Sequence, residues 1–227
     1  MYARCAAGDT RTAGPTDDDR GRAAMTVRVG VLALQGDVRE HSRVLAALGV
    51  EPVPVRRPGD LDAVQGLVLP GGESSVIDKL ARAFGMREPI RAAIAEGMPV
   101  YGTCAGLILL ADRIANPIVG QESFGGLDVT VRRNAFGGQV ESFETDLVAH
   151  GFDAPVHATF IRAPVVVGTG PDVQVLASLP ESAGGGIVAV AQGNLLATAF
   201  HPEVSGDTRF HEMLLARIRG REVGGGR

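Results

Sequence analysis

The residue types and spacing most suggestive of chemistry surround Cys104, which stands between Gly102 and Gly106 in the pattern G-x-C-x-G. Apolar runs precede and follow this pattern, so it predicts a sharp strand-to-helix turn that presents a nucleophile. A helix N-terminus favours the thiolate, which is the nucleophilic form of cysteine. A small buried cysteine with a packing role is the alternative, but the flanking glycines favour a nucleophile.

A nucleophilic thiol needs a base, and the base needs an orienting group. Of the five histidines, His201 is the best candidate, because it closes an apolar run and precedes Pro202 and Glu203. Side chains two residues apart in an extended segment project to the same side. His201 and Glu203 are therefore expected side by side, as a base and its orienting carboxylate. The alternative is a strand-end histidine beside a solvated glutamate.

Acyl transfer also needs N–H donors for the oxyanion that develops in the transition state. The backbone amide of Ala105, directly after the cysteine, is one candidate. Gly72 is another, because a residue without a side chain lets a substrate approach its amide closely. Taken alone, the Pro-Gly-Gly-Glu-Ser run at 70–74 is better explained as an ordinary β-to-α turn with a serine cap.

The candidate residues follow predicted strands. Apolar β-branched runs alternate with segments of helical spacing in the first half, and three Gly-rich turns follow such runs: LQGD at 34–37, LPGGES at 69–74 and YGTCAG at 101–106. The alternation predicts an α/β fold of three layers, with a mostly parallel central sheet flanked by helices. Such sheets bind ligands at the carboxyl ends of their strands, where these turns would meet.

The second half of the sequence has a more β-like pattern. Residues 126–147 predict two strands around a Gly-rich connection, and residues 187–191 and 195–200 predict a hairpin. Residues 208–219 predict a final helix. No linker or repeat interrupts the pattern, so we expect residues 25–220 to form one domain.

The two ends of the chain differ from this domain. Residues 1–24 contain few large apolar side chains, so we expect a disordered extension. Cys5 lies in that extension and is expected to have no function, and Met25 is an alternative translation start. Residues 221–227 are expected to be a flexible tail.

Composition excludes several function classes. The net charge is −4 and no basic block is present, so nucleic acid is a poor candidate for a partner. No apolar run reaches the roughly 18 residues of a membrane span. Two cysteines make no disulfide framework and show no metal-ligand spacing. We therefore expect a soluble protein of a reducing compartment, the cytoplasm.

In this order and spacing, the cysteine, histidine and glutamate motifs resemble class I, triad-type glutamine amidotransferases. Further motifs resemble the glutaminase subunit of pyridoxal 5′-phosphate synthase more closely: LQGD at 34–37, LPGGES at 69–74, RNAFG at 133–137, SFE at 142–144 and FIRAP at 160–164. The resemblance covers residues 27–219, and it identifies residues 25–220 as a glutamine amidotransferase domain.

The resemblance implies a role for each motif. Cys104 would attack the carboxamide of L-glutamine to give a glutamyl thioester and ammonia, with His201 as general base and acid and Glu203 orienting it. The residues implied to line the glutamine site are Gly72, Glu73, Ser74, Arg133, Ile161 and Arg162. The α-carboxylate of glutamine needs a cation or backbone amides, a requirement that the two arginines fit; a surface arginine pair is the alternative. The resemblance implies no metal and no cofactor.

The resemblance also implies a partner. Ammonia would pass to a barrel-shaped synthase subunit, which combines it with ribose 5-phosphate and glyceraldehyde 3-phosphate to make pyridoxal 5′-phosphate. The glutaminase would dock as a peripheral subunit of a large double ring and be weakly active until docked. One departure stands out: Gly138 occupies a position where the family has arginine in R-N-x-F-G-R-Q.

Three rival interpretations remain at this point. Another triad glutaminase, such as that of imidazole glycerol phosphate synthase, shares the three candidate residues, but LQGD and RNAFG count against it. A non-enzymatic α/β protein with a redox-sensing thiol would not need Glu203 two residues after His201. A cysteine hydrolase of peptides is disfavoured because the sequence indicates no cleft for a long substrate.

Overall fold

The computed structural model describes residues 26–135 and 142–224 of the chain. In its first half, strands and helices alternate as β1 (Arg28–Leu32), α1 (Val38–Ala47), β2 (Glu51–Val55), β3 (Gly66–Leu69), α2 (Ser74–Ala83), α3 (Arg87–Ala95), β4 (Val100–Thr103) and α4 (Ala105–Leu110). The second half contains β5 (Ala111–Ile114), β6 (Leu127–Arg132), β7 (Ser142–Leu147), β8 (Val156–Ile161), β9 (Val165–Thr169), β10 (Gln174–Ser178), β11 (Ile187–Gln192), β12 (Leu195–Thr198), α5 (Pro202–Ser205) and α6 (Arg209–Gly224).

Ten strands of the described chain form one sheet in the order β2-β1-β3-β4-β12-β11-β9-β6-β5, with β10 paired to β11. The first five strands of this order are parallel, while β11, β9 and β6 continue the sheet through antiparallel pairs. The predicted α/β fold with a mostly parallel central sheet flanked by helices is confirmed, and the antiparallel strands extend it on one side.

The parallel strands carry the core. Strands covered on both faces have continuous apolar sequences, and in β3 the residues Leu67, Val68 and Leu69 are fully buried. One contiguous cluster of buried apolar side chains extends from Val29 in β1 to Ile218 in α6. This cluster joins both halves of the described chain, and the division of the chain into domains stays a prediction.

The register of β4 and β12 determines where the site forms. These parallel neighbours pair from Leu195 with Val100 to Thr198 with Thr103, so both strands end at the same level. The chain then continues into Cys104 on one strand and towards His201 on the other. The two candidate residues therefore meet at the carboxyl edge of the sheet, although 97 residues separate them in sequence.

Parts of the second half differ from the sequence-based expectation. The two strands predicted in residues 126–147 are present as β6 and β7, but β7 pairs with β8 in a separate two-stranded sheet. The hairpin of β11 and β12 is present, but β12 ends at Thr198, two residues before the predicted end. Helix α5 then begins at Pro202, a residue type common at the first helical position.

Helix α6 also extends beyond its predicted end. It continues to Gly224, into the segment expected to be a flexible tail, and Arg221 ties this part of the helix to the carbonyl of Glu96 at 3.0 Å. The expected disordered extension at 1–24 and the substitution at Gly138 lie outside the described residues. Within the described ranges, no helix has the length and apolar character that crossing a membrane requires.

Candidate active site

Cys104 occupies a strained turn between β4 and α4. Its φ of 47° and ψ of −99° are uncommon for a residue with a side chain, and such strain is concentrated at functional sites. A Cβ on Gly102 would lie 2.6 Å from the carbonyl of Gly106, and a Cβ on Gly106 would lie 2.2 Å from the carbonyl oxygen of Leu69. Both glycines are therefore required by close packing, and the predicted sharp turn is present.

His201 and Glu203 are in contact, as expected. Nδ1 of His201 lies 2.8 Å from Oε1 of Glu203, and both residues are buried, with 4% and 6% of their surfaces exposed. The expected reason was wrong, because the segment is not extended: Pro202 is the first residue of helix α5, and Glu203 lies in its first turn. Burial also rules out the alternative of a solvated glutamate.

Burial and hydrogen bonding have opposite effects on this pair. Burial lowers the pKa of His201, but hydrogen bonds with Asp37, Cys104 and Glu203 outweigh it and raise that pKa well above its ordinary value. Burial raises the pKa of Glu203, which the hydrogen bond with His201 opposes. The imidazole is therefore held where a positive charge is stabilised, directly beside the candidate nucleophile.

Asp37 is a second acceptor for His201 that the sequence analysis missed. Its Oδ2 lies 3.4 Å from Nδ1 of His201, and it precedes helix α1. Ligand atoms of Asp37, His201 and Glu203 lie within 4.8 Å of one another, close enough for a metal ion. However, Nδ1 already lies at hydrogen-bond distance from Glu203, and one ring nitrogen cannot both donate a proton and bind a metal. The arrangement fits a base with two carboxylate acceptors.

The LQGD turn holds the Pro-Gly-Gly turn in place. Oε1 of Gln35 accepts a hydrogen bond from the amide of Glu73 at 2.8 Å, and the amide of Asp37 donates to the carbonyl of Gly71 at 3.2 Å. The two turns approach so closely that a Cβ on Gly36, whose φ is 107°, would lie 1.8 Å from the same carbonyl oxygen. The candidate oxyanion donor Gly72 is thus positioned by side-chain and backbone contacts from LQGD.

Cys104 opens onto a small cleft. The residues that line it are Gly72, Glu73, Ser74, Cys104, Ile108, Arg133, Asn134, Ile161 and Arg162. All six residues predicted to line a glutamine site are among them, and Ile108 and Asn134 were missed. Ile108 is four residues after Cys104 on α4, which is the helical spacing that could have identified it. Asn134 has a φ of 47°, and no sequence signal marks that conformation.

The two arginines of the cleft differ in environment. Arg133 is buried and donates from Nη2 to Glu73 at 2.9 Å and from Nη1 to Gln121 at 3.0 Å. Gln121, also missed, donates in turn to Ser74 at 2.9 Å. Arg162 is exposed but also lines the cleft. Because Arg133 is buried, the two arginines do not form a surface pair.

The candidate oxyanion donor Ala105 is the first residue of helix α4, so its amide has no acceptor within the helix. The sulfur of Cys104 lies 4.0 Å from the carbonyl oxygen of Ile161, on the opposite wall of the cleft. Two further buried histidines, His41 and His211, lie behind Glu203 and were also missed.

Comparison with solved structures shows the class of protein that this fold and site define. A crystal structure of a glutamine amidotransferase is 46% identical to the chain, has a TM-score of 0.77, and is matched over 84% of this chain and 98% of that one. PurLQS from Thermotoga maritima, at 19% identity and a TM-score of 0.59, shows the same fold. The protein is a glutamine amidotransferase.

The model of the SNO glutamine amidotransferase family matches residues 31–219, and the chain belongs to this family. The pyridoxal 5′-phosphate synthase subunit PdxT of Leifsonia xyli subsp. xyli is 65% identical over 195 residues, which cover 86% of this chain and 97% of the relative. The corresponding subunit of Clavibacter sepedonicus is 61% identical, over 84% of this chain and 90% of the relative. The resemblance found in the sequence is confirmed, against the thiol-sensor and peptide-hydrolase alternatives.

Proposed function

We propose that this chain is the glutaminase subunit of a pyridoxal 5′-phosphate synthase and hydrolyses L-glutamine through Cys104, His201 and Glu203. The observation that carries the proposal is the buried 2.8 Å contact between Nδ1 of His201 and Oε1 of Glu203 beside the strained turn of Cys104. The relatives at 61–65% identity, which are subunits of that synthase, support the pathway.

In the first half-reaction, the thiolate of Cys104 attacks the carboxamide carbon and forms a C–S bond. The carbonyl oxygen gains negative charge, for which the amides of Ala105 and Gly72 are the proposed donors. His201 gives its proton to the departing nitrogen, the C–N bond breaks, and ammonia leaves. Its raised pKa supports a protonated imidazole as the resting state for this step.

In the second half-reaction, water attacks the glutamyl thioester while His201 takes its proton. The C–S bond breaks, glutamate leaves, and the thiolate is restored with a protonated imidazole beside it. Glu203 remains ionised throughout and holds the imidazole by its Nδ1–H, so that the other ring nitrogen serves the sulfur and the substrate.

Recognition of glutamine draws on the charges of the cleft. Arg133 and Arg162 are the proposed partners of the α-carboxylate, and Glu73 is the proposed partner of the α-ammonium group. Glu73 and Arg133 already form an ion pair at 2.9 Å. Substrate binding would replace part of this ion pair with contacts between each side chain and the oppositely charged group of glutamine. Ser74 and Ile161 complete the walls of the site.

The proposed partner is the barrel-shaped synthase subunit, in a large hetero-oligomeric complex. It receives the ammonia and combines it with ribose 5-phosphate and glyceraldehyde 3-phosphate. The proposed glutaminase chemistry uses side chains and backbone amides, with no metal or cofactor, and its proposed location is the cytoplasm.

The test is ammonia release from glutamine by the purified chain, with and without the synthase subunit from the same source. Strong stimulation by the synthase subunit is the expected result. High activity without stimulation would retain the glutaminase and discard the partner. Absence of activity in both states would overturn the proposed function.

A further inference from the structure

Two fully buried histidines form a chain behind the proposed triad. Nδ1 of His41 lies 2.9 Å from Nε2 of His211. On its other side, Nε2 of His41 lies 3.1 Å from Oγ1 of Thr103 and 3.5 Å from Oε1 of Glu203, the same oxygen that contacts His201. His41 belongs to α1 and His211 to α6, so the two histidine side chains connect these helices to the carboxylate of Glu203.

Burial favours the neutral form of both histidines in the folded protein. Burial lowers the pKa of His41 well below its ordinary value, and the neighbouring His211 and His201 lower it further. Burial also lowers the pKa of His211, to about 4. A neutral imidazole has one N–H and one bare nitrogen, so the short contact between the two rings has one donor and one acceptor.

The surroundings decide which ring donates. If His41 donated, its bare Nε2 would face the carboxylate of Glu203, and His211 would hold its proton on Nδ1. That Nδ1 is buried and has no hydrogen-bond partner among the described residues. Orphaned buried N–H groups are rarer and costlier than bare acceptors. His211 therefore donates from Nε2 to Nδ1 of His41, which turns the N–H of His41 towards Thr103 and Glu203.

Glu203 needs such a donor. It is buried, and its Oε2 has no hydrogen-bond partner within the described part of the chain, so the contacts of Oε1 carry most of its stabilisation as an anion. His201 supplies one contact at 2.8 Å, and the N–H of His41 at 3.5 Å supplies a second, weaker electrostatic one.

We infer that His41 and His211 are positioning residues for the glutaminase reaction: His211 sets the tautomer of His41, and the N–H of His41 keeps Glu203 ionised and aimed at His201. This inference rests on the proposed function. The two histidines act on His201 through Glu203 and are not proposed to contact the substrate or the sulfur of Cys104.

Several ionisable groups face Glu203 and His211. Those that face Glu203 are His201, His41, Asp37 and Tyr101, and those that face His211 are Asp207, His41 and Tyr101. Among the groups that face Glu203, only His41 has a tautomer that is determined by His211. Changing the donor capacity of either histidine should therefore change the ionisation of Glu203 in a predictable direction.

The test compares His41→Leu, which removes the donor, with His41→Gln, which retains an N–H at similar reach. Glutaminase kinetics are measured in the complex with the synthase subunit across a range of pH. In His41→Leu, we expect kcat to fall about tenfold with KM unchanged. The acid limb of the kcat profile should move to higher pH, because Glu203 then takes up a proton more easily. His41→Gln should restore both values most of the way.

A second pair decides the matter if His41→Leu does not fold. His211→Phe removes the donor to His41 and keeps an aromatic ring beside Tyr101, whereas His211→Gln retains an N–H. We expect the acid limb to shift in the same direction in His211→Phe and to remain near wild type in His211→Gln.

An unshifted acid limb in the donor-free variants, or equal losses in the Leu and Gln variants, would overturn the inference. Wild-type and Cys104→Ala complexes are measured alongside. If wild type releases no ammonia, or if Cys104→Ala retains the activity, the proposed function fails; if activity depends on Cys104 but the limb does not move, only the histidine chain fails.

Discussion

Nδ1 of His201 lies 2.8 Å from Oε1 of Glu203 within a single turn of helix that Pro202 opens. The contact is local in sequence, buried from solvent, and placed by the shared end of β4 and β12 next to Cys104. The proline fixes φ for the first helical residue, so the base and its carboxylate are oriented by the backbone as well as by their hydrogen bond.

Removing the carboxylate or the base should disable the site. We expect His201→Asn and Glu203→Gln to lower kcat by about a thousandfold or more, because members of a catalytic unit fail together. Ammonia release by the complex measures this. Glu144→Gln, which changes a glutamate of β7 outside the cleft, is the control. Near-wild-type turnover of His201→Asn would refute the triad assignment.

Close packing at the strained turn predicts a stability effect. In Gly106→Ala the new Cβ would meet the carbonyl oxygen of Leu69, so we expect a loss of about 2–3 kcal/mol in the free energy of unfolding. Gly59→Ala is the matched control, since no atom lies within 4 Å of its added Cβ; its effect should stay within about 0.5 kcal/mol. Denaturant unfolding measures both, and equal stabilities would contradict the packing argument.

The buried histidines predict a pH dependence of stability. Burial lowers the pKa of His211 from its ordinary value of 6.5 to about 4, so below pH 6.5 the unfolded chain binds a proton that the folded protein does not bind. The free energy of unfolding is therefore independent of the titration of His211 above pH 6.5. It falls as the pH decreases from 6.5 towards 4, by up to about 1.4 kcal/mol per pH unit.

His211→Gln removes that titration. Unfolding free energies measured by denaturant at several pH values between 4 and 7 should fall less steeply with decreasing pH in the variant than in wild type. Comparing the two slopes cancels the contributions of groups that do not interact with His211, including the opposite contribution of His201, whose pKa is raised. Because His211 also lowers the pKa of His41, its removal weakens the titration of His41 in the same direction. Parallel curves would contradict the assignment of His211 as a buried neutral residue.

Arg133 should determine the affinity for glutamine. Its guanidinium serves Glu73 and Gln121 at once, a geometry that a single ammonium group cannot reproduce. We expect Arg133→Lys to raise KM for glutamine about tenfold with a smaller change in kcat. Arg132→Lys, at the exposed neighbouring position, is the control. An unchanged KM in Arg133→Lys would remove this residue from substrate recognition.

The sequence alone identified the residues whose relationships are local. The glycines on either side of Cys104 and the spacing of His201 and Glu203 are visible within a few positions. The alternation of strands and helices gave the α/β fold, because periodicity reports which faces are buried. It does not report which strands pair, so the pairing of β7 with β8 in a separate sheet was not predicted.

Residues that act through tertiary contacts could not be predicted in this way. His41 and His211 meet across 170 positions of sequence, and Gln35 reaches Glu73 across 38. Each of these residues, seen alone, is an ordinary polar residue in an amphipathic or turn segment. Only the packing of α1 against β1 and of α6 against β4 brings His41 and His211 together.

The measurement that tests the central claim most directly is ammonia release by the Cys104→Ala variant assembled with the synthase subunit, compared with the wild-type complex. The turn is held by Gly102, Gly106 and backbone contacts rather than by the sulfur, so the variant should fold and dock normally. We predict docking equal to wild type and no ammonia above the uncatalysed rate. Ammonia release at the wild-type rate would show that Cys104 is not the nucleophile.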